Sequence, residues 1–207
     1  MTNDSNLNTN SLRHALVTGG GRGIGAAIAQ RLVQQGMRVT VLGRDLDAVQ
    51  ALARQHPEHM HAVAADVANP EQVAQALASA TARFGAVHIL VNNAGQAESV
   101  PFAKMDLGLW QRMLDVNLTG TMVCTQAVLP GMLAAGWGRI INVASTAGQV
   151  GYASVAASCA AQHGVVGLTR ALALELARTG IAVPAACPGY SDTDTNRDSI
   201  LLVADNN

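Results

Sequence analysis

The chain carries little net charge and no clustered cysteines, and each shortage removes a class of function. Over 207 residues the formal charge at pH 7 is −1 and only 13% of residues are charged. No basic surplus is available for nucleic acid or an anionic membrane. The three cysteines, Cys124, Cys159 and Cys187, are widely spaced in apolar surroundings without a CxxC pair. That excludes a disulfide frame and a zinc site, leaves no metal centre expected, and points to a reducing, cytoplasmic setting. Lysine is nearly absent, with Lys104 the only one. Residues 1–11 lack the basic start and apolar core of a signal peptide, and no later stretch offers about 18 uninterrupted apolar residues for a membrane span. They are read as a disordered tail, and 12–207 as one folded domain.

What is present is a chain 49% apolar, enough for one sizeable core. Near-continuous apolar runs at 14–18, 38–42, 60–64, 88–91, 139–143 and 181–187 have the character of strands buried on both faces of a parallel sheet. Helical patterns separate them. Ile24, Ala27, Ile28 and Leu32 recur at helical spacing with Gly36 as a stop, and Asn69 and Pro70 offer a cap and first residue before Val73, Ala76, Leu77 and Ala80. Strand and helix alternate throughout, which predicts an α/β fold with a doubly wound parallel sheet and ligands at the carboxyl ends of its strands.

The first strand runs straight into Gly19, Gly20, Gly21, Arg22, Gly23, Ile24 and Gly25, where a helix opens. Glycines there permit a tight turn, and the amides at the positive helix end face a pyrophosphate, so this loop predicts dinucleotide binding. Charge at the end of the second strand decides which dinucleotide. A carboxylate would accept from a ribose hydroxyl, whereas arginine would pair with a 2′-phosphate. Arg44 stands there and Arg22 sits within the loop, favouring NADP, while the adjacent Asp45 keeps NAD open. Asp45 also reads as the cap of a helix containing Val49 and Leu52.

Further motifs follow in order: Asp66 and Val67 after the third strand, Asn92, Asn93, Ala94 and Gly95 after the fourth, Asn117 in VNLTG, Ser145 after the fifth, and Pro188 with Gly189. Together with the glycine loop they resemble the short-chain dehydrogenase/reductase family over 13–195. The resemblance implies a Rossmann-like sheet, a nicotinamide cofactor and hydride transfer between it and a carbonyl or alcohol carbon, with a 3-oxoacyl thioester or similar small ketone as substrate. By the same resemblance Asp66 lies near the adenine, Asn93, Ala94 and Gly95 run along the cofactor, and Thr193 lies near the nicotinamide. Asn117 holds a proton-relay water and Ser145 the substrate oxygen. Each has a plainer alternative: Asp66 as a strand-end cap, Asn92 and Asn93 as turn formers, Asn117 as a buried amide satisfying backbone.

The family's tyrosine and lysine are implied thirteen residues after Ser145 and four beyond that. Those positions hold Ser158 and Gln162. A phenol of pKa about 10, lowered further by an ammonium, can release a proton near neutral pH; an aliphatic hydroxyl beside a neutral amide cannot. The expectation is intact cofactor binding with impaired catalysis, the alternative being a cofactor-binding protein with a sensing or assembly role. Lys104, His163 and Tyr152 are read as a solvated lysine, a side chain turned away from Gln162, and a lid or pocket aromatic. Pro184 interrupts the sixth run, which suits an edge strand whose outer side it would blunt. The chain also stops where the resemblance implies a last strand and helix, which are expected to be missing. Small and apolar residues along 118–133 and 164–177 suggest a homodimer or higher homo-oligomer.

Overall fold

A computed structural model describes residues 13–189. The tail 1–11, Thr193 and the stretch in which a last strand and helix would follow lie outside the described residues. Seven strands form one parallel sheet: β1 (His14–Thr18), β2 (Arg38–Gly43), β3 (Met60–Ala64), β4 (Ile89–Asn92), β5 (Gly138–Val143), β6 (Ile181–Ala182) and β7 (Ala185–Ala186). Their order is β3-β2-β1-β4-β5-β6, with β7 also on β5. The order reverses between β1 and β4, which opens a crevice at their carboxyl ends.

Alternation along the strands divides the core in two. Leu16, Leu42, Leu90 and Ile140 point to one face, where they meet Val73 and Ala76 of α3 (Pro70–Phe84) and Cys124, Val128 and Met132 of α5 (Gly120–Ala135). Their neighbours Ala15, Val17, Val39, Val41, Ile89 and Val91 point the other way. They pack on Ala29 of α1 (Gly23–Gln34) and on Val49 and Leu52 of α2 (Leu46–Ala53). Burial on both faces is why these strands are apolar without a polar alternate. Each large side chain so buried contributes roughly 1.5–3 kcal/mol.

Local chemistry sets the helix starts. Asp45 accepts from Ala48 N at 3.1 Å and caps α2; Asn69 accepts from Glu71 N and Gln72 N ahead of Pro70. Gly36 adopts φ +82° just after α1, in the left-handed region that stops a helix. A 29-residue helical stretch, Leu107–Ala135, is long and apolar enough by composition to cross a membrane. Within this fold its second part buries one side against the sheet and α3. It comprises α4 (Leu107–Leu114), one π-helical turn over Asp115–Thr119, and α5.

The sixth run differs from expectation. It is two short segments, β6 and β7, that pair with β5 in a single register, Gly138 opposite Ile181 and Asn142 opposite Ala185. Between them the Pro184 carbonyl accepts from Asn142 N at 3.0 Å. A residue's N–H and C=O point to the same side of a strand, so the N–H that proline lacks faces β5. Pro184 therefore breaks the inner ladder and does not blunt an outer edge. Among the described residues, this line of the sheet pairs only with β5.

Candidate active site

The crevice at the switch point is a cleft of about 500 Å³. Its floor is the glycine loop. Gly19 has φ +63°, and a Cβ on Gly25 would collide with the Gly19 carbonyl and lie 2.5 Å from Asn93 Nδ2. Only glycine lets these backbones approach so closely. No side chain caps α1 and no acid sits in its first turn, which leaves the first amides of the helix and its positive dipole end open to an anion.

Thr18 ties the loop to the next strand. Its Oγ1 accepts from Asn93 N and Ala94 N, both at 3.0 Å, while Asn93 Nδ2 donates to the carbonyls of Thr18 and Gly19 at 3.1 and 3.2 Å. Asn93 therefore shapes the turn and lines the cleft at once. Gly19, Arg22, Gly23, Ile24, Arg44, Asp66, Val67, Asn93, Ala94, Gly95, Pro188 and Gly189 all border the cleft. Of the expected cofactor residues within the described chain, Gly25 alone is not on its wall; it packs against Gly19 and Asn93, where a side chain would not fit. Asp66 also fills its plainer part, since its Oδ1 accepts from Ala68 N at 2.9 Å.

The residues expected at the reacting end separate. Ser145 borders the cleft, and its Oγ accepts from Ala147 N at 3.2 Å, which leaves its hydroxyl proton available. Gln162 borders the cleft as well, from α6 (Ala156–Glu175), with a buried Oε1 that has no hydrogen-bond partner. Ser158 lies one turn earlier on α6, but its Oγ donates to Met113 Sδ at 3.7 Å and it does not border the cleft. Asn117 is buried in the π-helical turn and clasps Gln96: Oδ1 accepts from Gln96 N at 2.8 Å and Nδ2 donates to Gln96 O at 2.9 Å. Lys104, His163 and Tyr152 do not border the cleft. His163 is exposed and bonds back to Cys159 O at 2.9 Å, the Tyr152 hydroxyl donates to Thr146 Oγ1 at 3.1 Å, and Lys104 is exposed.

Sequence reasoning missed a buried polar row behind the site. Asn92 Nδ2 donates to Thr125 Oγ1 and Asn142 Oδ1 at 3.1 and 2.9 Å, and Asn142 Nδ2 donates to Thr169 Oγ1 at 2.8 Å. It links α5, β4, β5 and α6 at the cleft end of the sheet. The signal was there: an asparagine inside each of two apolar strands, ILVN and IINV, demands a buried partner. Gln96 was missed too, having no motif to announce it.

The profile of the short chain dehydrogenase family matches residues 13–200. The chain belongs to this family. Among its short-chain dehydrogenase relatives, the 3-oxoacyl-[acyl-carrier-protein] reductase of Synechocystis is 42% identical over 184 residues, covering 87% of this chain and 74% of that protein. A cis-4-hydroxycyclohexanecarboxylate dehydrogenase of Sinomonas cyclohexanicum is 40% identical over 185 residues, covering 87% and 74%. The crystal structure of a variant of actinorhodin polyketide ketoreductase with NADPH superimposes with a TM-score of 0.91 at 39% identity, covering 95% of this chain and 77% of that one. Membership of this family, together with the NADPH-bound neighbour, supports binding of a nicotinamide cofactor by this chain.

Proposed function

We propose that residues 12–207 form one dinucleotide-binding unit that holds NADP(H), with NAD(H) as the weaker alternative, and that its carbonyl-reducing chemistry is deprived of a proton donor. The cradle at Gly19 and Gly25, which a Cβ would fill, is the observation that carries the first part. The amides at the start of α1 hold the pyrophosphate. Arg44 and Arg22 serve the 2′-phosphate, Asp66 and Val67 flank the adenine, and Asn93, Ala94 and Gly95 line the middle. Pro188, Gly189 and Thr193 close the nicotinamide end. A bound nicotinamide supplies or takes up the hydride.

Ser145, its oxygen already accepting from Ala147 N, offers its proton as a hydrogen bond to a substrate carbonyl. Ser158 and Gln162 stand where a phenol and an ammonium would deliver a proton, and neither side chain has an acid of suitable strength. The cost of that loss is about 10²- to 10⁴-fold in rate. Substrates are small carbonyls or alcohols, 3-oxoacyl thioesters first, in keeping with the ketoreductase relatives. The setting is cytoplasmic, and α5 with α6 supplies the homo-oligomer contact.

A second reading, binding without turnover in a sensing or assembly role, is favoured by the direction of the Ser158 hydroxyl, toward Met113. One pair of experiments separates the two. Calorimetric titration with NADP⁺ is expected to give micromolar affinity, and NADPH oxidation with a panel of 3-oxoacyl thioesters a rate slow but above background. Binding with a rate equal to background selects the second reading. No binding removes both.

A further inference from the structure

Arg44 and Gln96 meet across the mouth of the cleft. Arg44 follows β2 and Gln96 follows β4, and β1 lies between these strands. Two spacings of about 4.8 Å separate their ends, so the two side chains reach over the glycine loop that follows β1. With the Gln96 amide turned so that its oxygen faces the guanidinium, Oε1 accepts from Arg44 Nη2 at 2.6 Å and Nη1 at 3.2 Å. Both residues border the cleft.

Each end of this contact has a reason. The Gln96 backbone is gripped on both its N–H and its C=O by Asn117, so its side chain extends from a fixed root. Arg44 has no carboxylate partner among the described residues: Asp45 next to it caps α2, and the ion pair formed among those residues is Arg112 with Glu98. A neutral amide is a weaker partner for a guanidinium than a phosphate, which offers full charge and paired oxygens.

We infer that Arg44 and Gln96 form a strap across the nucleotide cleft, which any dinucleotide must open and for which only a 2′-phosphate compensates, by taking Arg44 as its own partner. The inference rests on the proposed binding of a nicotinamide dinucleotide. A plain ribose breaks the strap and regains nothing, so NAD(H) is held at low affinity. NADP(H) breaks the same contact and replaces it with a stronger one.

The test is calorimetric titration of the whole chain with NAD⁺ and, separately, NADP⁺. Gln96→Ala and Gln96→Leu, the second keeping bulk while deleting the acceptor, should both tighten NAD⁺ and NADP⁺ by about tenfold, the worth of a hydrogen bond to a charged group. Arg44→Ala should tighten NAD⁺ by the same factor yet weaken NADP⁺. The Arg44→Ala, Gln96→Ala double variant should bind NAD⁺ no tighter than either single one, because one contact can be removed only once. Unchanged or weaker NAD⁺ binding in Gln96→Ala overturns the strap, as does tightening in Gln96→Ala without tightening in Gln96→Leu. A wild-type chain and a Gln96→Ala chain that both bind neither nucleotide would instead overturn the cofactor reading, and the strap with it.

Discussion

The hydroxyl of Ser158 donates to the sulfur of Met113 at 3.7 Å. This contact turns the one hydroxyl at that point of α6 into an apolar cluster of Leu109, Met113 and Ala157, with Val100, Met105 and Trp110 around it. One turn along the same helix, Gln162 keeps a buried, unpartnered oxygen at the cleft. Helical spacing places the two residues on neighbouring parts of one face, and the packing of α4 against α6 then gives them different surroundings.

Placing a phenol and an ammonium at these two positions tests the proposed lack of a proton donor. Ser158→Tyr with Gln162→Lys is expected to raise the rate of NADPH oxidation with 3-oxoacyl thioesters by about 10²-fold or more. The phenol must displace Met113, so the melting temperature should fall, as for an overpacked core that loses about 1–3 kcal/mol. A double variant that binds NADP⁺ but stays at the starting rate would show that the acid is not what limits turnover.

The glycine cradle is tested by Gly25→Ala. One methyl group there meets the Gly19 carbonyl and the Asn93 amide, so the loop must move. The expected outcome is a loss of about 1–3 kcal/mol in urea melts together with loss of the NADP⁺-dependent rise in melting temperature. A variant that keeps the full ligand-dependent rise would mean that the pyrophosphate is held elsewhere.

The polar row behind the site is tested by Asn142→Val. The change deletes bonds to Asn92 and Thr169 and leaves buried donors and acceptors without partners, at a cost of about 2–4 kcal/mol. Denaturant melts measure it. Asn142→Asp, which keeps one acceptor for Asn92 Nδ2 but buries a charge, should be at least as damaging.

Acid stability has a specific source. His14 is fully buried, its Nδ1 2.8 Å from Gly85 O and its Nε2 2.9 Å from Thr40 Oγ1. Burial, helped by His88 and His61, pushes its pKa from the ordinary 6.5 down to about 4. A base with a lowered folded pKa takes up its proton first in the unfolded chain. Stability is therefore intact above about pH 7 and drains away as pH falls from 6.5 through 4, by about 3 kcal/mol in all. Urea melts at pH 7 and pH 4.5 measure the difference, and His14→Leu should shrink it without abolishing it, since burial also lowers the pKa of His61 and of His88. An unchanged difference would place the acid sensitivity in other groups.

The strands and helices were readable because burial on both faces of a parallel sheet writes itself as short apolar runs. β1 and β3 have the expected bounds, while β2 and β5 each differ at one end by a single glycine, Gly43 and Gly138. Caps at Asp45 and Asn69 were equally local, a side-chain oxygen answering amides two or three residues ahead. The sixth run was harder. Proline announced an interruption, but which side of the strand lost its N–H depended on the register with β5, and register is not written in either strand alone.

From its residues alone this chain is a glycine-looped α/β protein with serine and glutamine at positions 158 and 162, because turn conformation, helical period and side-chain acidity are local properties. Tertiary structure alone decided that the Ser158 hydroxyl goes to Met113, that Asn117 grips Gln96, and that Gln96 reaches Arg44. The first two contacts join residues 45 and 21 positions apart in the chain, and the third joins the ends of two strands separated by a third. Such meetings depend on how helices and strand ends settle against one another, and no spacing within a single segment encodes them.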